Sequence, residues 1–496
     1  MNRWTAPLYD RLEKHVREHH AGFHVPGHKS GAGLDPRGRE FLQAVMAIDL
    51  TEITGMDDLH QPEEAIREAQ LLAADCFGAE ESFFLVGGST AGNMALILSL
   101  CGRDDVLIVQ RNSHKSILNA IALAGAKAVF LTPEWDDTAG LAGGVRLEDV
   151  AKALERFPEA KAVMLTNPNY YGMAADLSPY AVLVHKLGKP LLVDEAHGAH
   201  FGFHPGLPPS ALSCGADGVV QSTHKMLTAM TMGAMLHLQG PRLDRLAIRR
   251  CLGAIQSSSP SYPIMASLDL ARLQMHHEGR RLLDNGLAAA ARFRGEVGSI
   301  GGFRLLEKMS ASTNRYLDPF KVAIADAAGK ATGYQLQELL EANGCRVEMA
   351  DPVYVLLHFS LATNEEAVDR LLTALRLSKE GLGRFGQENN SLSANISGIL
   401  RIEAVSSAVR LPWLGSAAQG EGGVTSIPLE EAEGRISADM IVPYPPGIPV
   451  VYAGEQLTRE ACLYLSMLSR AGARFQGAAD PQLRSIRVIP GNDSII

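Results

Sequence analysis

Between about residues 80 and 240 the chain alternates short apolar runs with segments of helical length, and it keeps this up without interruption. "SFFLV" leads into the small-residue loop "GGSTAGN" and the apolar helix "MALILSLCG". "DVLIVQ" is followed by a helical stretch from Ser116 to Ala124, then "KAVFL" and a helical stretch near Leu147–Phe157. "KAVMLTNPN", the helix-like "YAVLVHKLG", "PLLVDEAHGAH", a further helix-length segment and "DGVVQSTHK" complete the series. Apolar strands that do not alternate polar with apolar are buried on both faces. Strands separated by helices are joined in parallel by crossovers. The pattern therefore predicts a mostly parallel sheet covered by helices, an α/β domain.

Downstream, "ASLDLARLQMHHEGRRLLDNGLAAAARFRGEV" predicts one long amphipathic helix leading to a second domain. Beyond about residue 300, helices such as "GYQLQELLEANG" mix with short strands such as "VYVLLHFS", an α+β pattern with its own core. "GQENNSLSANISG" reads as a loose linker and "MIVPYPPGIPVVYAGE" as a proline-stiffened turn. The expected organisation of the 496 residues is an N-terminal segment 1–60, a major domain 61–305 and an α+β C-terminal domain 306–496.

Bulk properties exclude several classes. Net charge is −9 with no Lys/Arg cluster, which argues against a nucleic-acid partner or an anionic membrane surface. The uncharged stretch from Ser82 to Gly102 is broken by "GGSTAGN", so it predicts strand, loop and buried helix rather than a membrane span. Six scattered cysteines without C-x-x-C spacing, and a charged N-terminus with no apolar core, point to a reducing, cytoplasmic setting.

In an open parallel sheet, ligands bind where the carboxyl ends of the strands deliver their loops. Four such loops carry complementary chemistry. "LVGGSTAGNM" offers Gly87 and Gly88 for close backbone approach, and Ser89 and Thr90 hydroxyls beside the N–H groups of a helix start, a cup suited to one phosphate. "QRNSHKSI" places His114 at a strand exit, where a flat ring can cover a flat ligand or simply cap the next helix. "PLLVDEAHGAHFG" ends an apolar strand on Asp194, a costly carboxylate unless a cation meets it; Ala196 is small enough to lie under a ring, and His197 or His200 is nearby. "QSTHKMLTAMTMGAMLH" carries a lone Lys225 at the mouth of an interior-like run, flanked by Ser222 and His224. A poorly solvated lysine becomes a nucleophilic amine; a snorkelling one keeps its head in water. No ligand set for a metal is evident. A lysine, a carboxylate, a phosphate cup and a ring-packing surface are together what pyridoxal 5'-phosphate requires.

On these residues the chain resembles the fold-type I, pyridoxal-phosphate-dependent ornithine/lysine/arginine decarboxylases, most closely the short Gram-positive type. The likeness runs through "FHVPGHKSGAG", "DLTEITGMDDLHQPEEAI", "GGSTAGN", "RNSHKS", "DEAHGAHFGFHP", "STHKMLTAMTMGAMLH" and "VPYPPGIPVVYAGE". The resemblance implies a fold-type I transferase-like major domain and a smaller α+β C-terminal domain. It implies that Lys225 binds the cofactor covalently and Asp194 pairs with the pyridine nitrogen. By the same likeness His114 stacks on the ring, Gly88, Ser89, Thr90, Ser222 and His224 hold the phosphate, and Ala196 and His197 lie beside the ring or substrate. It implies a cytoplasmic homodimer or higher oligomer in which His28 and Lys29 act across the interface. The implied reaction is decarboxylation of a basic amino acid in polyamine biosynthesis, arginine to agmatine first, with lysine and ornithine open. Glu455, Asp57 and Asp58 are candidate partners for the distal cation. The alternatives are an aminotransferase or aldolase of the same fold, with Arg401 as a carboxylate anchor, or a non-catalytic relative.

Overall fold

A computed structural model describes residues 2–307, 309–313, 315–385, 403–411, 423–444 and 449–489. The linker passage "GQENNSLSANISG", Arg401 and the centre of "PYPPGIP" (445–448) lie outside the described residues. The chain divides into two compact units, one made of residues 1–100 and 177–281, the other of 101–176 and 282–496.

The first unit is built on four strands in the order Glu81–Leu85, Ala234–Leu238, Gly218–Gln221 and Leu191–Asp194. All four are buried almost throughout, as their continuous apolar character requires. Leu191–Asp194 and Gly218–Gln221 run parallel, with Asp194 beside Val220. The other two ladders are antiparallel, so the sheet here is mixed. The reason is connection length: from Gln221 the chain reaches Ala234 through a single short helix, Thr223–Met226, too little for a crossover, and the next strand must run back. The helix Gly88–Leu100 packs closely on this sheet because residue 92 has no side chain. A Cβ at Gly92 would lie 2.8 Å from both Leu85 Cδ1 and Val220 Cγ1.

The segment expected to be helical between Asp194 and the strand "DGVVQ" is instead a series of turns. Its organiser is Glu195, whose buried carboxyl group accepts the Ala211 N–H at 2.7 Å. The N-terminal helix Pro7–Arg17 buries Leu8 and Leu12 and is latched to the long helix Tyr262–Ile300. Asp269 accepts the Leu8 N–H, while Arg272 bonds Asp269 and donates to the Thr5 carbonyl, both charged side chains being fully buried. By contrast the helix Arg39–Ala47 has no buried residue: Phe41, Leu42 and Val45 are all exposed.

In the second unit, Val106–Gln110 pairs in parallel with Lys127–Leu131 and Val163–Thr166, as the alternating pattern predicts. Val405–Arg410 adds an antiparallel edge. A separate antiparallel sheet orders Phe303–Leu305, Lys321–Asp326, Val355–His358 and Met349–Ala350, with helices Gly333–Ala342 and Glu365–Leu382 packed nearby. A third, of Thr425–Pro428, Ser485–Ile489 and Ile436–Ser437, shares a core with the helix Arg459–Arg470. The predicted α+β character of the C-terminal part is thus realised, among the described residues, in these sheets and a further two-stranded pairing of Val442–Tyr444 with Arg474–Gln476. Among the described residues no helix is long and apolar enough to cross a membrane.

Candidate active site

Three of the four chemistry-bearing loops lie in the first unit, at one end of its parallel strand pair. Leu191–Asp194 and Gly218–Gln221 run side by side, so the loops leaving their carboxyl ends emerge at the same edge. One carries Asp194, Ala196 and His197; the other carries Ser222, Thr223, His224 and Lys225. The link between them is direct: Lys225 Nζ lies 3.0 Å from His197 Nε2. A half-buried ammonium facing an imidazole is not a lysine spread across the surface.

Asp194 is 3 % exposed. A carboxylate this buried requires donors. The Asn93 side-chain amide donates to Oδ2 at 3.0 Å and the Ala196 N–H to Oδ1 at 3.1 Å. Asn93 follows Ser89 by one helical turn, so its side chain faces the sheet from the helix that opens at Gly88.

That opening is a tight one. Gly88 adopts φ +72° and its N–H donates to the Met232 carbonyl at 2.9 Å, tying the small-residue loop to the chain beyond Lys225. Ser89 and Thr90 occupy the first turn, with Thr90 exposed. On the facing loop, Ser222 and Thr223 are 1 % and 0 % exposed, and neither hydroxyl has a hydrogen-bond partner among the described residues. Two orphaned buried hydroxyls side by side are costly unless a ligand satisfies them. The His224 imidazole beside them is held below its usual range, first by burial and then by the charge of Lys225, which keeps it neutral.

Beneath this edge runs a buried chain of polar groups. The Gln221 amide donates to Glu195 Oε2 at 2.7 Å, His237 Nε2 lies 3.2 Å from Gln221 Oε1, and His237 Nδ1 lies 2.7 Å from Ser82 Oγ. Burial pushes the Glu195 carboxyl up to about 8, its two hydrogen bonds only partly opposing, and pushes His237 down to about 3. Both are neutral near pH 7. Asn93, Thr223 and Glu195 are not singled out by sequence. The signals available are a second acid directly after Asp194, a hydroxyl inside "STHK", and an amide one turn after Ser89.

His114 belongs to the second unit. It is the N-cap of the helix Lys115–Ala124, its Nδ1 accepting the Ser116 N–H at 3.2 Å. His28 Nε2 lies 3.2 Å from Asp49 Oδ2, and the Lys29 ammonium donates to the His24 carbonyl. Of the acids considered for a distal cation, Asp57 accepts the backbone N–H groups of Glu63, Glu64, Ile66 and Arg67 at the start of the helix Ala65–Phe77. That use is architectural. Glu455 is engaged by Arg111 and the Tyr452 N–H within the second unit, and Asp58 accepts the His60 N–H.

Residues 6–313 match the family profile "Orn/Lys/Arg decarboxylase, major domain", and residues 407–481 match its C-terminal domain. Among relatives, the uncharacterized protein YaaO of Bacillus subtilis is 40% identical over 476 residues, covering 95% of this chain and 96% of its own. The arginine decarboxylase of Bacillus subtilis is 35% identical over 501 residues, covering all of both chains. Among solved structures, the lysine decarboxylase LdcF of Francisella novicida superposes with a TM-score of 0.81 at 22% identity, over 98% of this chain and 81% of that one. The serine palmitoyltransferase of Sphingomonas wittichii superposes with a TM-score of 0.53 at 19% identity, over 72% of this chain and 86% of that one.

Proposed function

The chain belongs to the Orn/Lys/Arg decarboxylase family, and from that premise we propose that it binds pyridoxal 5'-phosphate and decarboxylates L-arginine to agmatine. The observation that carries the reading is the Lys225–His197 pair, 3.0 Å apart at the strand edge where buried Asp194 ends the neighbouring strand. Arginine is favoured over lysine and ornithine because full-length relatives at 34–36% identity are named arginine decarboxylases, whereas those named lysine decarboxylases stand at 27% and below.

The cofactor, when bound, supplies an electron sink for the pair left on Cα as carbon dioxide departs. The residues present fit it. Lys225 offers the amine for its carbonyl carbon. Asp194, fixed by Asn93 and the Ala196 N–H, presents a carboxylate to a protonated ring nitrogen and would keep that proton in place. The orphaned Ser222 and Thr223 hydroxyls, with Gly88, Ser89, Thr90 and neutral His224, form a donor set suited to a phosphate. Ala196 leaves room beneath a ring. His197, in contact with the Lys225 amine, or Lys225 itself would donate the proton that takes the place of carbon dioxide at the substrate Cα.

The same reading includes a cytoplasmic location, a role in polyamine biosynthesis, domain boundaries near 60 and 305, and a homodimer or larger assembly. The exposed apolar side chains of Phe23, Phe41, Leu42 and Val45 support the assembly: a second copy would bury them. Phe41→Glu should shift the species seen by light scattering toward monomer. The activity is tested by incubating the protein with arginine, lysine and ornithine, with pyridoxal phosphate and no keto-acid. Carbon dioxide released fastest from arginine supports the reading; no gas release, with amino transfer once a keto-acid is added, would replace it with the aminotransferase alternative.

A further inference from the structure

The second unit contains a cavity of about 240 Å³ whose lining includes none of residues 88–90, 194–197 or 222–225. Its polar focus is one carboxylate, Asp351. The Tyr171 hydroxyl donates to Oδ2, and the N–H groups of Val353 and Tyr354 donate to Oδ1 at 2.6 Å each. Tyr334 and Tyr464 line the same space, close enough for the charge of Asp351 to act on both phenols. Tyr170 and Trp135 add two further rings, and Leu141, Val450 and Leu468 supply aliphatic wall.

This lining selects its ligand class. A single carboxylate already accepting backbone N–H bonds is a poor metal site, since hard cations need several oxygens. An anion would meet Asp351, and Arg111, the cation in the lining, is engaged by Glu455 and stacked on the Tyr452 ring at 4.8 Å. Rings around a carboxylate favour an organic cation: the ammonium gains ion pairing and cation–π attraction at once, while its alkyl chain lies along the aliphatic wall. The volume is below the roughly 300–1,000 Å³ of pockets for drug-sized ligands, so the guest is short. Burial raises the Asp351 carboxyl, which adds to the advantage a cationic guest would confer.

We propose that the cavity lined by Asp351, Tyr171, Tyr334, Tyr464 and Trp135, built from the second unit's own residues, is a binding site for a short aliphatic amine. The assignment rests on the cavity's own lining and would survive failure of the decarboxylase reading, although that reading makes the product an amine of this class.

The test is calorimetric titration of the full-length protein with 1,5-diaminopentane and with its neutral analogue 1,5-pentanediol. Wild type should bind the diamine and not the diol. Asp351→Asn should weaken the site at least tenfold. Val450→Trp, which fills the space without touching the charge, should abolish it, with melting temperature checked for both. Tyr464→Phe keeps the ring, serves as the folded control if Asp351→Asn fails to fold, and should weaken binding less than tenfold. Undiminished binding in Val450→Trp, equal affinity for the diol, or no binding by wild type would each overturn the proposal. Carbon dioxide release is read separately, so loss of one activity does not bear on the other.

Discussion

Glu195 is fully buried beside Asp194, and its ionisation should set how the first unit responds to pH. An unfolded glutamate ionises near 4.5, whereas here burial holds the carboxyl up to about 8. Between those values the unfolded chain has released a proton that the folded chain retains, so stability falls as pH rises through that window and levels off above it. Each unit of difference corresponds to roughly 1.4 kcal/mol, so moving from pH 5.5 to 7.5 should cost about 3 kcal/mol through this group alone. Glu195→Gln removes the ionisation and keeps the shape, with its carbonyl still able to accept the Ala211 N–H. The assay is urea unfolding of wild type and variant at both pH values, following the transition that involves the first unit. The variant should gain about 3 kcal/mol relative to wild type on going from the lower pH to the higher. Because the comparison is between pH values, any constant cost of the amide cancels. Parallel behaviour, with the difference unchanged to within about 1 kcal/mol, would refute the reasoning and mean that water or a cation reaches the carboxyl.

Three further outcomes follow from the same geometry. Gly92→Ala puts a methyl 2.8 Å from Leu85 and Val220, and should destabilise the unit by about 1–3 kcal/mol in thermal or urea melts while loosening cofactor retention on dialysis. Asn93→Ala removes a charge-assisted bond to Asp194 worth about 1.5–3 kcal/mol, so turnover measured by carbon dioxide release should drop about ten- to a hundredfold with the fold intact by circular dichroism. Asp269→Ala leaves Arg272 buried without its carboxylate and should cost about 3–5 kcal/mol, with limited proteolysis cutting first near the N-terminal helix.

What the sequence displays well is whatever depends on period and order. The strands ending in Gln110, Leu131 and Asp194 are unbroken apolar runs between helix-length segments, and the long helix after Tyr262 follows from its amphipathic repeat. Strand direction is less legible, because it depends on how short the return from Gln221 to Ala234 turns out to be. The segment after Asp194 departs from its helical expectation for a related reason: its folding is dictated by one buried carboxyl group reaching the Ala211 N–H, a tertiary bond with no local periodicity. At the site, Lys225 and His197 are placed together in space although they stand far apart along the chain. Asn93 and Glu195 escape notice because an amide on a helix and an acid after an acid look like ordinary surface residues until burial is known. Asp57 shows the converse, a carboxylate that reads as a ligand and serves as a helix anchor.

The central claim is that the amine of Lys225 is the point of covalent attachment for pyridoxal phosphate. Borohydride reduction of the cofactor-loaded protein, followed by proteolysis and mass spectrometry, tests it most directly. A single pyridoxyl-modified peptide spanning "STHKMLTAM" is expected, absent from Lys225→Ala. A label fixed on another lysine, or none in a protein that still releases carbon dioxide from arginine, would contradict it.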